Sequence, residues 1–154
     1  MEANISLQDF KQAAGKKLEI SEWLLIDQQR IDAFADATND HQFIHVDAER
    51  AAATPFGSTI AHGFLTLSLL SDLLSQSMLW PTGTQMVLNY GSDKVRFLQP
   101  VKVKSRIRAK PEIKSVSQKR SGQFLLRTAV VVEIENDNHP ALIADILSLY
   151  MIQE

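Results

Sequence analysis

Ile60-Ala-His-Gly-Phe-Leu-Thr-Leu-Ser-Leu-Leu-Ser71 is the stretch whose reading decides the fold. It opens on a His-Gly pair and stays apolar through Leu73, Leu74 and Met78 until Pro81 and Gly83 stop it. Phe64 and the leucines cover more than one side of a helical wheel. A helix apolar on most sides belongs inside a protein, so the spacing predicts a long buried helix over 60–79. Thr66, Ser68, Ser71 and Asp72 make it too polar to cross a bilayer, and no membrane role is expected.

Beyond Pro81 the period changes to two. Residues 85–90, 93–98, 101–109, 124–134 and 141–152 read as strands rich in Val, Ile, Leu and aromatics. Lys119-Arg-Ser-Gly122 and Glu135-Asn-Asp-Asn-His139 carry turn residues. Upstream, Ser6 can cap a first helix that runs to about Ala14. Residues 17–27 alternate around Trp23, Leu24 and Ile26 and predict a strand. Asp27 caps a helix over 28–37 with Ile31, Phe34 and Ala35 on one face, and Asp47 caps a short helix over 48–53. Residues 40–45, between those two, read as a loop or short turn. The order is helices and one strand, then consecutive antiparallel strands. That is an α+β chain: one long central helix wrapped by an antiparallel sheet.

Bulk properties narrow the function classes. The chain has 154 residues, which fits a single domain able to bury ~70% of its unfolded surface. A net charge of −2 gives no electrostatic case for nucleic acid or an anionic membrane as partner. Cysteine is absent, which excludes disulfides, thiolate nucleophiles and Cys-based zinc sites and fits a reducing compartment. The N-terminus has no basic region followed by an apolar run, so no signal peptide is expected and the cytoplasm is the expected location.

Chemistry-bearing residues gather around the start of the apolar segment. Asp40 and His45, five apart, form a candidate acid–base pair, because imidazole titrates near neutrality and a carboxylate can orient it. The plainer reading is two polar residues in a loop. Gly63 stands at the helix start, where free N–H groups and the lack of a side chain suit an oxyanion site; alternatively it relieves crowding between helix and sheet. His62 reads as a packed, hydrogen-bonded histidine. His41 and His45, four apart, invite a metal reading, but Gln42 stands where the zinc-protease pattern needs Glu, and no metal is expected. Ser68 and Ser71 lie outside any Gly-x-Ser-x-Gly elbow, which argues against serine-hydrolase chemistry. Lys94, Arg96, Lys102, Lys104, Arg106, Arg108 and Lys110 read as a solvated sheet face rather than a phosphate site. Phe43, Phe56 and Phe64 stand as candidates to line an acyl tunnel.

At Asn39-Asp40-His41-Gln42-Phe43-Ile44-His45, followed by Ile60-Ala61-His62-Gly63, the chain resembles the MaoC-like dehydratases. This is the hot-dog-fold family that includes the (R)-specific enoyl-CoA hydratases, and the branch named for nodulation protein N is the nearest. The family motif is Gly-Asp-x-Asn-Pro-hydrophobic-His with a hydrophobic-His-Gly segment downstream. Ile31-Asp-Ala-Phe-Ala-Asp-Ala-Thr38, Asn89-Tyr90-Gly91, Lys94-Val-Arg-Phe-Leu-Gln-Pro-Val101 and Pro140-Ala-Leu-Ile-Ala144 add further matches. The resemblance covers roughly Trp23 onward and leaves residues 1–20 as an N-terminal helical extension of the domain. Asn39 replaces the motif glycine, and Gln42-Phe43 replaces Asn-Pro, where the nodulation-protein branch commonly has Gln-Trp.

The resemblance implies a hot-dog domain, a homodimer, and reversible hydration of trans-2-enoyl-CoA to (R)-3-hydroxyacyl-CoA without a cofactor. Asp40 and His45 match the catalytic pair and Gly63 the glycine whose N–H polarises the thioester. Ser71 and Gln42 stand as supporting residues. A hot-dog thioesterase and a non-catalytic acyl-thioester binder are the alternative readings, separated by whether free thiol, hydrated product or neither appears.

Overall fold

The computed structural model describes residues 4–153; residues 1–3 of the expected N-terminal extension lie outside them. One five-stranded antiparallel sheet carries the architecture, in the order β1-β3-β4-β5-β2. Its strands are β1 (Leu24–Leu25), β2 (Thr84–Phe97), β3 (Arg106–Arg120), β4 (Gln123–Ile134) and β5 (Leu142–Ile152). The helices are α1 (Leu7–Lys11), α2 (Gln28–Thr38), α3 (Phe43–Val46), α4 (Ala48–Ala52), α5 (Gly63–Ser68) and α6 (Leu70–Leu73). Leu65, Leu69, Leu70 and Leu73 pack onto Ile107, Val130, Val132 and Leu142 of the sheet, so the helical segment is cradled as the apolar spacing predicts.

That segment is shorter than expected and comes in two pieces. Residues 60–61 are extended instead, because Ile60 N–H donates to Ile44 O and Ala61 N–H to Val101 O. Helix therefore begins at Gly63. Leu69 keeps helical angles with ψ −13°, a tightened turn between α5 and α6. Past Leu73 the hydroxyls of Ser75 and Ser77 bond Asp72 O and Leu74 O. Such local bonds compete with helix continuation, so the chain leaves in turns before Pro81.

The strands differ from the expectation in three places. The two runs over 85–90 and 93–98 are one strand, β2, whose register shifts between Asn89 and Gly91. The strand expected over 101–109 starts later, at Arg106, and continues to Arg120. Pro111 hid that extension. It stands opposite Val130 of β4, and its carbonyl accepts from Leu18 N–H on the other side. The missing N–H thus points away from the β3–β4 ladder, where a proline does little harm. The strand expected over 17–27 shrinks to Leu24–Leu25, with a bridge at Lys17–Glu112 and single bonds from Leu18 and Ser21. Facing Pro111, this segment cannot build a regular ladder.

The caps follow the sequence. Ser6, Asp27 and Asp47 accept from Asp9, Arg30 and Arg50 N–H respectively. α1 ends at Lys11, short of Ala14, and Phe10 drops into a second cluster with Phe124, Tyr150 and Leu79. Part of the cationic stripe is ion-paired: Arg108 with Glu133 at 2.7 Å, Arg106 with Glu135 at 3.1 Å, Lys94 with Asp145 at 3.7 Å. This supports the solvated-face reading for those positions.

Candidate active site

α2 ends in a left-handed turn at Asn39, φ 57°, a conformation that asparagine tolerates better than most residues. The substitution of the motif glycine therefore keeps the turn, and Asp40 leaves it exposed. Asp40 Oδ1 accepts weakly from Gln42 N–H at 3.4 Å. Residues 43–46 are helical, so His45 projects from α3 and not from a loop.

His45 is 93% shielded from solvent at a relative exposure of 7%. Its Nδ1 lies 2.7 Å from Ile60 O. A carbonyl only accepts, so Nδ1 carries the proton and Nε2 keeps its lone pair. Burial pushes the His45 pKa below its usual 6.5, and His62 adds to this, against the opposing pull of the Ile60 bond and Asp40. The ring is therefore neutral at pH 7 and able to accept a proton.

His62 stacks on His45 with ring centroids 3.7 Å apart and planes 24° apart. Its Nε2–H donates to the backbone carbonyl of Asp40 at 2.9 Å. Its Nδ1 is buried without a hydrogen-bond partner among the described residues. His62 is thus the packed histidine expected, and it also pins the residue that carries the carboxylate. Among the described residues Asp40, His45 and His62 each bring a ligand atom within 4.8 Å of the others. His62, though, has its Nε2 committed to Asp40 O and its Nδ1 buried, which suits it poorly to an entering ion. Acid–base work suits the cluster better. His41 turns away to Asp36, 2.8 Å distant on the surface, so the His41–His45 pair does not form.

Gly63 is the first residue of α5, and first-turn N–H groups have no partner within a helix. A Cβ at Gly63 would stand 3.0 Å from the Phe97 ring, so any larger residue here makes that ring give way. His45, Gly63, Thr66, Phe97 and Val101 line one cavity of about 250 Å³. This brings Gly63 to the imidazole. Neither Asp40 nor Ser71 is among the lining residues: Asp40 meets His45 and His62 beside the cavity, and Ser71 opens onto a separate hollow with Met78, Tyr90 and Ser148. Gln42 reaches the site through its backbone, its N–H donating to Asp40 Oδ1 and its carbonyl accepting from His45 N–H. Nor do Phe43, Phe56 or Phe64 line the cavity: Phe43 lies under Arg50, and Phe64 is exposed and edges onto Phe97, the aromatic that does line it.

Four residues here escape a sequence reading: Phe97, Thr66, Gln28 and Thr59. Thr66 sits one turn past His62, a helical spacing that could have flagged it. Gln28 and Thr59 are 31 apart and meet only through the fold.

Comparison with known proteins identifies the family and the fold. The family model described as MaoC like domain matches residues 9–135. Nodulation protein N of Rhizobium leguminosarum bv. viciae is 52% identical over 147 residues, covering 94% of this chain and 91% of that one. The 3-hydroxyacyl-thioester dehydratase Z of Mycobacterium tuberculosis is 46% identical over 146 residues, covering 95% and 96%. Among solved structures, a monoamine oxidase regulatory protein from Archaeoglobus fulgius superposes with a TM-score of 0.83 at 25% identity, covering 99% and 98%. The fold is the hot-dog fold of these structures, and the similarity reaches into residues 1–20, where Phe10 is a core residue.

Proposed function

The chain belongs to the MaoC-like domain family, and on that footing we propose that it reversibly hydrates trans-2-enoyl-CoA to (R)-3-hydroxyacyl-CoA. One observation carries the reading: a solvent-open carboxylate, Asp40, lies within 4.8 Å of an imidazole whose tautomer is set. Such a pair can hold one water and take its proton. The relative named as a 3-hydroxyacyl-thioester dehydratase supports the same chemistry run in reverse.

In the proposed reaction the water sits between Asp40 and His45 Nε2. As its oxygen bonds the β-carbon, the dyad takes its proton, and the π electrons shift toward the thioester oxygen. Gly63 N–H donates to that oxygen as it gains charge. The α-carbon then receives a proton from the dyad and the thioester carbonyl re-forms. Oxidation state does not change overall, and each step uses only these side chains and one backbone N–H. How the two proton transfers divide belongs to the coupled pair, not to either residue.

The functional unit in this reading is a homodimer. β2 is a 14-residue strand at the sheet edge, with Met86, Leu88 and Tyr90 exposed on it. An open edge of that length favours pairing. The reading also keeps the expected cytoplasmic setting; no helix among the described residues is long and apolar enough to cross a membrane.

Crotonyl-CoA and an eight-carbon enoyl-CoA test the proposal. Loss of the enoyl-thioester absorbance without free thiol supports it, and the ratio of rates begins to set chain length. Thiol release moves the protein to the thioesterases. Binding without turnover of either kind leaves the acyl-thioester binder.

A further inference from the structure

We propose that Gln28 and Thr59 form a clamp that sets the position and tautomer of His45, as positioning residues for the hydration proposed above, on which this inference rests. The side-chain amide of Gln28 uses every polar atom it has. Its Nε2 donates to His45 O at 2.7 Å and to Asp32 Oδ1 at 2.8 Å. Its Oε1 accepts from the Thr59 hydroxyl at 2.6 Å. Two acceptors on one side and a hydroxyl donor on the other leave one orientation for the amide, since flipping it would set oxygen against oxygen.

The contacts close a ring. His45 Nδ1–H donates to Ile60 O; the chain steps back one residue to Thr59; Thr59 reaches Gln28; Gln28 returns to the His45 carbonyl. Gln28 therefore ties the backbone of His45 to the segment that receives its ring proton. Both ends of the tautomer-setting bond are held by one side chain.

The clamp has work to do because α3 cannot hold itself. It is four residues long, its N-cap Gln42 makes no side-chain cap bond, and a helix of one turn is not stable alone. Besides Gln28, its ties to this segment among the described residues are the His45 ring bond to Ile60 O and the backbone bond from Ile60 N–H to Ile44 O. Thr59 is 2% exposed, and its own carbonyl takes Val103 N–H, so the clamp's far end is fastened to the body of the protein. Gln28 opens α2 directly after the Asp27 cap, which fixes where its side chain starts. Neither residue lines the cavity beside His45. Their effect passes through His45.

The test compares wild type with Thr59→Val, Thr59→Ser and Gln28→Glu, in crotonyl-CoA hydration and by NMR of 15N-histidine-labelled free protein. Thr59→Val keeps the shape and removes the donor. Gln28→Glu keeps the length and replaces the two N–H donors. The expected result is a fall in kcat of about tenfold to a hundredfold with KM within about twofold, the scale of a misplaced catalytic group. The His45 Nδ1–H signal, sharp in wild type, broadens in both variants. Thr59→Ser restores both readouts, because its hydroxyl remains. Folded Thr59→Val with wild-type kcat and an unchanged His45 signal overturns the proposal. So does a loss of kcat without any change at His45, or an equal loss in Thr59→Ser. If Thr59→Val does not fold, Gln28→Glu is judged by the same criteria. If wild type hydrates no enoyl thioester, the functional reading fails, and the clamp stands or falls on the NMR signal alone.

Discussion

At one end of the sheet Phe10, Phe124 and Tyr150 meet ring to ring, with the Phe124 centroid 6.3 Å and the Tyr150 centroid 5.0 Å from Phe10. At the other end His45, His62, Thr59 and Thr66 are buried together, each at 7% exposure or less. The first cluster is held by apolar area, and its one polar tip, the Tyr150 hydroxyl, has no hydrogen-bond partner among the described residues. The second is held by directed bonds to Ile60 O, Asp40 O and Gln28. Burial raises the pKa of the Tyr150 phenol and lowers that of the His45 imidazole, in both cases disfavouring the charged form. Only at the polar end does the neutral form remain a usable base. The difference teaches where this molecule is held by apolar area and where it is held by directed polar bonds.

Substitutions should separate the two ends. Asp40→Asn is expected to lower kcat by about 10²–10⁴-fold, the scale of lost general acid–base catalysis. Asp40's side chain is 54% exposed, so the melting temperature should barely move. Full activity in that variant would sink the site assignment. Phe10→Ala should show the converse: a loss of about 3–5 kcal/mol in denaturant unfolding, with kcat per folded molecule unchanged. A large drop in kcat there would mean that the two clusters are coupled.

Gly63→Ala tests the junction of helix and sheet. The added methyl must displace the Phe97 ring, 3.0 Å away, from the cavity wall. Turnover should fall by roughly tenfold, as for a modest misplacement of an oxyanion donor, with a visible change in Phe97 ring signals. An unchanged rate would argue that Gly63 serves packing alone.

The pH profile gives a finer comparison. His45 titrates below 6.5 in the folded protein. The unfolded chain takes up that proton first as pH falls, so His45's contribution to stability is full above 6.5 and is lost on descending through the folded value. The acid limb of kcat/KM should likewise have its midpoint below 6.5, and a midpoint above it would contradict the neutral imidazole. The smallest effect is expected for Tyr150→Phe. Removing a buried hydroxyl that has no hydrogen-bond partner among the described residues should change stability by less than about 1 kcal/mol, in either direction.

Much of the candidate site was legible because its signals are local. Asp40, His45 and Gly63 sit within one short run, and capping at Asp27 and Asp47 places the helices that frame it. The errors were also local in cause. Pro111 masked most of β3, since its missing N–H reads as a break until the partner on each side is known. The apolar run suggested twenty helical residues, but backbone bonds from Ile60 and Ala61 to distant segments claimed its first turn. Phe97 could not be chosen over Phe43, Phe56 and Phe64, because aromatics at a pocket are selected by the path of a strand remote in sequence.

By itself the sequence determined what depends on neighbours along the chain: the caps, the amphipathic α2, the buried helical segment, the alternation of the strands, and the acid–imidazole pair on its short connection. Tertiary structure alone decided which atoms of those residues are available. Ile60 O fixes the His45 tautomer, His62 stacks on its ring and holds Asp40, and Gln28 meets Thr59. Periodicity and capping are short-range and leave a record in composition. A hydrogen bond between residues 31 apart leaves none until the chain has closed on itself.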